Sequence, residues 1–177
     1  VVPYVSGHMI EGEDSLSLTE RFANQNRREI DIAVVKLPYI SNYTDVELFL
    51  FEEDVSIRLV SGPDEFGEPD ALLIPGTRST IHDLQQLKNS GLAQKIKPYN
   101  ETGGTIIGIC GGYQMLSRYL YDKAGSDTGV KGRYAEGFSI LPVGITFYHE
   151  KKRCGTKGLF IRNQVFPSFS WKGIKFI

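Results

Sequence analysis

Between Thr102 and Leu120 the chain reads Thr-Gly-Gly-Thr-Ile-Ile-Gly-Ile-Cys-Gly-Gly-Tyr-Gln-Met-Leu-Ser-Arg-Tyr-Leu. Thr105 to Ile109 is short, β-branched and preceded by Gly103-Gly104, which fits a buried strand. Tyr113, Leu116 and Leu120 recur at helical spacing, so the pattern predicts an amphipathic helix continuing to Leu120. Cys110 then falls at a strand-to-helix turn. Gly108 and Gly112 stand two residues to either side of it. Small neighbours at that spacing let a strained turn present a nucleophile at the end of a sheet. A helix N-terminus beside the thiol also favours thiolate.

The rest of the chain supplies companions for that strand. Asp31 to Leu37, with Ile32-Ala33-Val34-Val35 at its centre, suits a parallel strand buried on both faces, and Pro38 ends it. After the turn-rich Ser41-Asn42-Tyr43-Thr44-Asp45, residues Val46 to Phe51 form a short helical candidate capped by Thr44 or Asp45. Ser56 to Val60 reads as a second strand stopped by Ser61-Gly62-Pro63, and Ala71-Leu72-Leu73-Ile74 as a third broken by Pro75-Gly76. Ser79 or Thr80 is placed to cap a helix from Ile81 to Lys88, with Asp83 favouring its N-terminal dipole. A second helix, Leu92 to Asn100, leads back to the cysteine strand. Strands alternating with helices, with glycines at the strands' C-terminal ends, predict an open α/β fold with a mostly parallel sheet and ligands bound at that edge. Beyond Leu120, residues Asp122 to Glu136 are polar and glycine-rich and read as a surface loop. Gly137 to Phe147 resumes as extended structure, and the end carries Phe160, Phe166, Phe169, Trp171 and Phe176.

Composition narrows the function. A chain of 177 residues that is 41% hydrophobic supports one α/β core and is short for two. A formal net charge of -1 gives no reason to expect nucleic acid or an anionic membrane, and Lys151-Lys152-Arg153 reads as a solvated loop. No segment approaches the roughly 20 apolar residues of a membrane span, and there is no basic start followed by an apolar signal core, so a cytoplasmic protein is expected. Two cysteines in unlike settings, Cys110 and Cys154, argue against a disulfide framework or a zinc site, and Cys154 reads as an incidental thiol. The chain starts on Val1 without Met, from which a longer polypeptide is expected. Glu11 to Asn26 reads as a polar connection, and the domain is expected to start near Arg28.

Gly108-Ile109-Cys110-Gly111-Gly112-Tyr113-Gln114-Met115-Leu116 resembles the nucleophile corner of class I, triad-type glutamine amidotransferases, and among them the cobyric acid synthase branch. Other stretches agree. Leu73-Ile74-Pro75-Gly76-Thr77-Arg78-Ser79-Thr80, followed by Asp83-Leu84 and Ser90-Gly91-Leu92, resembles that branch's second loop and helix. Ser41 to Asp45 resembles its first loop, and Gly137 to Lys151 its Leu-Pro and Thr-Phe region. Val2-Pro3-Tyr4 with Glu13-Asp14-Ser15-Leu16 resembles the tail of the ATP-dependent synthetase domain that precedes the glutaminase in those polypeptides. The resemblance implies a flavodoxin-like fold whose C-terminal part is incomplete here. It also implies a division into residues 1–27, synthetase tail and linker, and 28–177, glutaminase.

It further implies a chemistry. Cys110 matches the nucleophile that attacks the side-chain amide of glutamine, forming a glutamyl thioester and releasing ammonia. Gly111 and Gly76 match the backbone donors for the oxyanion, and Gln114 matches the substrate-binding position. The family's catalytic histidine lies downstream of the matched region, after a Gly-Tyr-Glu-Ile-His-like segment, so a fragment with little or no glutamine turnover is expected. His8, His82 and His149 read as surface histidines. Within the resemblance the partners are glutamine, the upstream synthetase domain and its corrinoid acceptor. No metal or cofactor is expected in this domain, with ATP and Mg at the synthetase domain. Two alternatives stay open: a glutaminase serving another amidoligase, namely cobyrinic acid diamide synthase or isoglutaminyl lipid II synthase, and a non-catalytic domain that binds glutamine or docks on a synthetase. A cysteine hydrolase acting on esters or peptides leaves Gln114 unexplained.

Overall fold

A computed structural model describes Phe22 and residues 27–41 and 44–149. Apart from Phe22 and Arg27, the expected linker and synthetase tail lie outside the described residues. So do Asn42 and Tyr43 of the first loop, His8, Lys151-Lys152-Arg153, Cys154 and the aromatic end.

Four parallel strands make the main sheet: β1 (Ile30–Val35), β2 (Val55–Val60), β3 (Ala71–Ile74) and β4 (Thr105–Gly108). Their order is β2-β1-β3-β4, with Val34 opposite Leu59 and Leu73, and Leu73 opposite Ile107. The order reverses between β1 and β3. Loops leaving the C-terminal ends of such neighbouring strands diverge and open a crevice there. Five of the six residues of β1 are buried, as expected of a strand covered on both faces.

The two faces have separate cores. Ala33, Val35, Leu72 and Ile74 point to α3 (Thr80–Asn89) and α4 (Ala93–Glu101), where Leu84, Leu87, Leu92 and Ile96 meet them. Ile32, Val34, Ile57 and Leu73 point the other way and pack with Phe22 and Val46. At about 25 cal/mol per Å² of apolar area, fully burying such aliphatic side chains is the main stabilisation of the sheet. The short helical segments α1 (Thr44–Glu47), continued by a 3-10 turn over Leu48–Phe51, and α2 (Pro63–Phe66) fill the remaining connections. The structure adds α2 where the Ser-Gly-Pro signal read only as a stop. Pro63 opens it at the first helical turn, where a missing N–H costs nothing.

Beyond Cys110 the expected architecture needs correction. The helix there, α5 (Gly111–Met115), is five residues long and does not reach Leu120. Tyr119–Asp122 is instead β5, the centre of a second sheet with β6 (Arg133–Glu136) antiparallel and β7 (Gly144–Phe147) parallel to it. The region expected as a polar loop is thus a hairpin. The cause is competition for carbonyls. Phe138 N–H donates to Met115 C=O at 2.8 Å, Ser139 N–H to Ser117 C=O at 2.9 Å, and Ile140 and Leu141 N–H to Leu116 C=O. These acceptors are the ones a longer helix would have used. Gly137 allows the approach, since a Cβ there would lie 2.0 Å from Ser117 O.

Candidate active site

Cys110 sits between β4 and α5 with φ 49° and ψ -109°, a backbone conformation that side chains other than glycine rarely adopt. Such strain is of order 1–3 kcal/mol, and it turns the side chain outward: Cys110 is an exposed, free cysteine. The corner holds because its flanks have no side chains. A Cβ on Gly112 would lie 2.0 Å from Ile74 O, and one on Gly108 would lie 2.8 Å from the Tyr113 backbone. A Cβ on Gly111 would meet Thr77 Cγ2 at 2.5 Å. Three glycines in five positions around Cys110 are therefore steric requirements of the turn and not flexible joints.

Gly76 follows β3 on the same sheet edge and is buried. A Cβ built on it would lie 3.5 Å from Cys110 Cβ, so the two sequence-predicted positions are neighbours. Gly76 C=O accepts from Ser41 N–H at 2.9 Å, which fixes the loop orientation from the β1 side. Among the described residues neither Gly76 N–H nor Gly111 N–H has a hydrogen-bond acceptor. Two unspent backbone donors flank the cysteine. Gln114 N–H donates to Cys110 C=O at 3.1 Å, placing Gln114 one helical turn along α5. Its side chain is half-buried, and its Oε1 accepts from Thr80 Oγ at 3.1 Å.

The loops around this centre are tied by a buried carboxylate. Asp83 is fully buried, and its Oδ2 accepts from Tyr39 N–H at 3.2 Å and lies 2.5 Å from Thr77 Oγ. Arg78 N–H donates to Tyr39 C=O at 2.9 Å. Asp83 therefore clamps the loop after β1 to the loop after β3, a role beyond the dipole contact expected of it. Its Oδ1 has no hydrogen bond, and His82 Nδ1 lies 3.5 Å from it. His82 also stands edge-on to Tyr39 with ring centroids 4.9 Å apart. His149 is exposed just after β7. No hydrogen bond among the described residues joins either histidine to Cys110. Nor is there, among them, a group of three or more His, Cys, Asp and Glu side chains placed to hold a metal ion.

The cap of α3 is not the one expected. Ser79 occupies the N-cap position but makes no side-chain cap hydrogen bond, and Thr80 is the first helical residue. The cap comes from Asp127, whose Oδ1 accepts from Thr80 N–H at 2.8 Å and Oδ2 from Ile81 N–H at 2.9 Å. Asp127 is held in turn by Asp122, buried at the end of β5. Asp122 accepts from Ser126, Asp127 and Thr128 N–H and from Thr128 Oγ, at 2.8–3.1 Å. Burial pushes the Asp122 carboxyl upward, but the hydrogen bonds from Thr128, Asp127 and Ser126 outweigh it, so the group is held below the usual aspartate value. Neither Asp122 nor Asp127 stood out in the sequence. The turn-forming run after Asp122 was visible, but nothing in it named a partner 47 residues away.

An exposed cysteine on a strained strand-to-helix corner, with Gly76 beside it, has the geometry that can present a nucleophile. The match to known proteins narrows it. Residues 31–164 match the CobB/CobQ-like glutamine amidotransferase domain. The chain belongs to that family. Similar curated proteins are the cobyric acid synthase of Clostridium kluyveri, 46% identical over 158 residues, and that of Synechococcus elongatus, 42% identical over 151 residues. The cobyric acid synthase of Desulforamulus reducens is 43% identical over 159 residues. These alignments cover 89%, 85% and 89% of this chain but 30%, 30% and 31% of the relatives, so the chain spans about a third of their length. A solved structure of a protein described as a peptidase E, from Listeria monocytogenes EGD-e, overlaps 72% of this chain and 70% of its own, with TM-score 0.49 and 13% identity. The CobB/CobQ-like match runs from the second residue of β1 through β7 and takes in Gly76, Cys110, Gly111 and Gln114. No helix among the described residues is long and apolar enough to cross a membrane.

Proposed function

We propose that this chain is the glutaminase part of a cobyric acid synthase, releasing ammonia from glutamine at Cys110. The observation that carries the reading is the exposed Cys110 at φ 49°, with Gly76 against it and the N–H groups of Gly76 and Gly111 unspent. The Cys110 thiol gives its proton to a base, and the resulting thiolate adds to the side-chain carbonyl carbon of glutamine. The carbonyl oxygen becomes an oxyanion, which accepts from the Gly76 and Gly111 N–H groups in this reading; losing one such donor lowers a rate by about 10²–10³. Collapse of the tetrahedral species breaks the carbon–nitrogen bond, the base returns its proton to the leaving nitrogen, and ammonia departs. Water then hydrolyses the Cys110 thioester to glutamate. Gln114 contacts the substrate. The proton acceptor is assigned to neither His82, which is turned to Asp83 and Tyr39, nor His149, which follows β7.

In the wider proposal the ammonia serves an ATP- and Mg-dependent synthetase domain that amidates adenosylcobyrinic acid a,c-diamide. The names of the relatives support cobyric acid synthase over other amidoligases. The test is covalent labelling with a diazo-ketone analogue of glutamine followed by peptide mapping. Modification confined to Cys110, blocked by glutamine and absent in Cys110→Ala, is the expected result. Labelling spread over other residues, or labelling of Cys110 that glutamine leaves unchanged, would overturn the reading.

A further inference from the structure

Gln114 is held at one end only. Thr80 Oγ donates to its Oε1, and among the described residues its Nε2 has no hydrogen-bond partner. A side-chain amide fixed through its oxygen presents its NH₂ as a donor. The holding hydroxyl is itself fixed from far along the chain. Thr80 begins α3, and the first two N–H groups of that helix are bound by the two oxygens of Asp127, which Asp122 anchors. A cap from Ser79 would have tied α3 to its own preceding loop. The cap from Asp127 ties it to the loop after β5, the strand that follows α5 and Gln114. Thr80 is buried, and a Cβ on Gly111 would lie 3.2 Å from Thr80 Oγ, so the start of α3 already abuts α5.

We infer that Thr80 and Asp127 are positioning residues that fix Gln114 as a hydrogen-bond donor, so that the substrate atom it meets is a carbonyl or carboxylate oxygen of glutamine. This rests on the reading of Cys110 and Gln114 as a glutamine site. Thr80 shapes glutamine affinity without taking part in the chemistry at Cys110. Asp127 acts through Thr80, and Asp122 through Asp127.

The experiment measures, in the full-length polypeptide, how glutamine protects Cys110 against iodoacetamide, with alkylation followed at the Cys110 peptide. Thr80→Val keeps the shape and removes the donor. It should raise the half-protecting glutamine concentration about tenfold, the effect of one lost hydrogen bond, while unprotected alkylation stays within about twofold. Thr80→Ser should restore protection. Asp127→Ala should shift protection in the same direction as Thr80→Val, and Asp127→Asn, which keeps one acceptor, should fall between it and the unaltered protein. Protection unchanged in Thr80→Val, or no rescue by Thr80→Ser, overturns the inference and leaves the glutaminase reading standing. If Thr80→Val does not fold, the Asp127→Asn result decides. An unaltered protein that glutamine does not protect defeats the glutaminase reading, and the inference falls with it.

Discussion

The junctions β4–α5 and β3–α3 leave the same edge of the same sheet, yet they are held in opposite ways. At Cys110 the strand passes into the helix within two residues, and the turn is enforced by adjacent backbone that leaves no room for side chains at Gly108 and Gly112. The start of α3 is set by the hydrogen bonds that Thr80 and Ile81 N–H donate to Asp127, 47 and 46 residues away, and by Asp83 reaching back to Tyr39. One junction is rigid by exclusion and the other by attraction. Exclusion acts between near neighbours in sequence and is unforgiving; attraction can come from anywhere and is lost in graded steps.

Substitutions should separate the two. The largest effect belongs to the excluded corner: Gly112→Ala, with its Cβ 2.0 Å from Ile74 O, should destabilise the protein by ~4 kcal/mol or more, read as loss of the folded baseline in urea titration. A Gly112→Ala protein with an unchanged midpoint would show that the corner relaxes freely. Next comes the anchor of the attractive junction. Asp122→Ala strands the N–H groups of Ser126, Asp127 and Thr128, and should cost about 3 kcal/mol.

The same carboxylate gives a pH signature. Its folded value is depressed, so between that value and the ordinary aspartate value of about 3.9 the unfolded chain binds more proton than the folded one. Its contribution is complete above the ordinary value and is lost as pH falls through the folded one. Urea midpoints below about pH 4 should therefore drop less steeply in Asp122→Asn than in the unaltered protein. Equal slopes would remove Asp122 from the account.

Smaller effects follow. Asp127→Ala should cost about 1–2 kcal/mol, the range for losing a helix cap, whereas Ser79→Ala should change stability by less than about 0.5 kcal/mol because Ser79 makes no cap bond. Comparable losses in the two would contradict the remote cap. Cys110→Gly should raise stability by about 1 kcal/mol, the relief of strain less the greater unfolded-state freedom of glycine, while abolishing diazo-ketone labelling. Gly76→Ala is also mild. Its new Cβ meets Ser41 Oγ, a movable group, at 2.6 Å, so it should fold with a loss below about 1 kcal/mol that Ser41→Gly restores.

The two junctions also mark what could be read in advance. β1 to β4, α3 and α4 were legible within one to two residues, because β-branched runs stopped by Gly or Pro and apolar residues at helical spacing are local signals. The glycine-flanked cysteine was legible for the same reason; Gly76 was named only through the family resemblance, and it is the pairing of β3 with β4 that sets it beside Cys110. The helix expected to reach Leu120 failed where distant chain intervened: Phe138 to Leu141 take the carbonyls of Met115 to Ser117, and Tyr119–Asp122 pairs in a sheet. Leu116 and Leu120 are both buried and Tyr113 is exposed, and a short helix followed by a strand turns the two leucines inward as well as one helix would.

By itself, then, the amino-acid order determined the parallel α/β core and the strained cysteine, consequences of sterics and burial among near neighbours, and through its resemblance the family to which the domain belongs. Tertiary structure alone decided which carboxylate caps α3, which hydroxyl holds Gln114 and where α5 stops. Those depend on hydrogen-bond partners many residues apart, and a donor carries no mark in sequence of the acceptor that folding will bring to it.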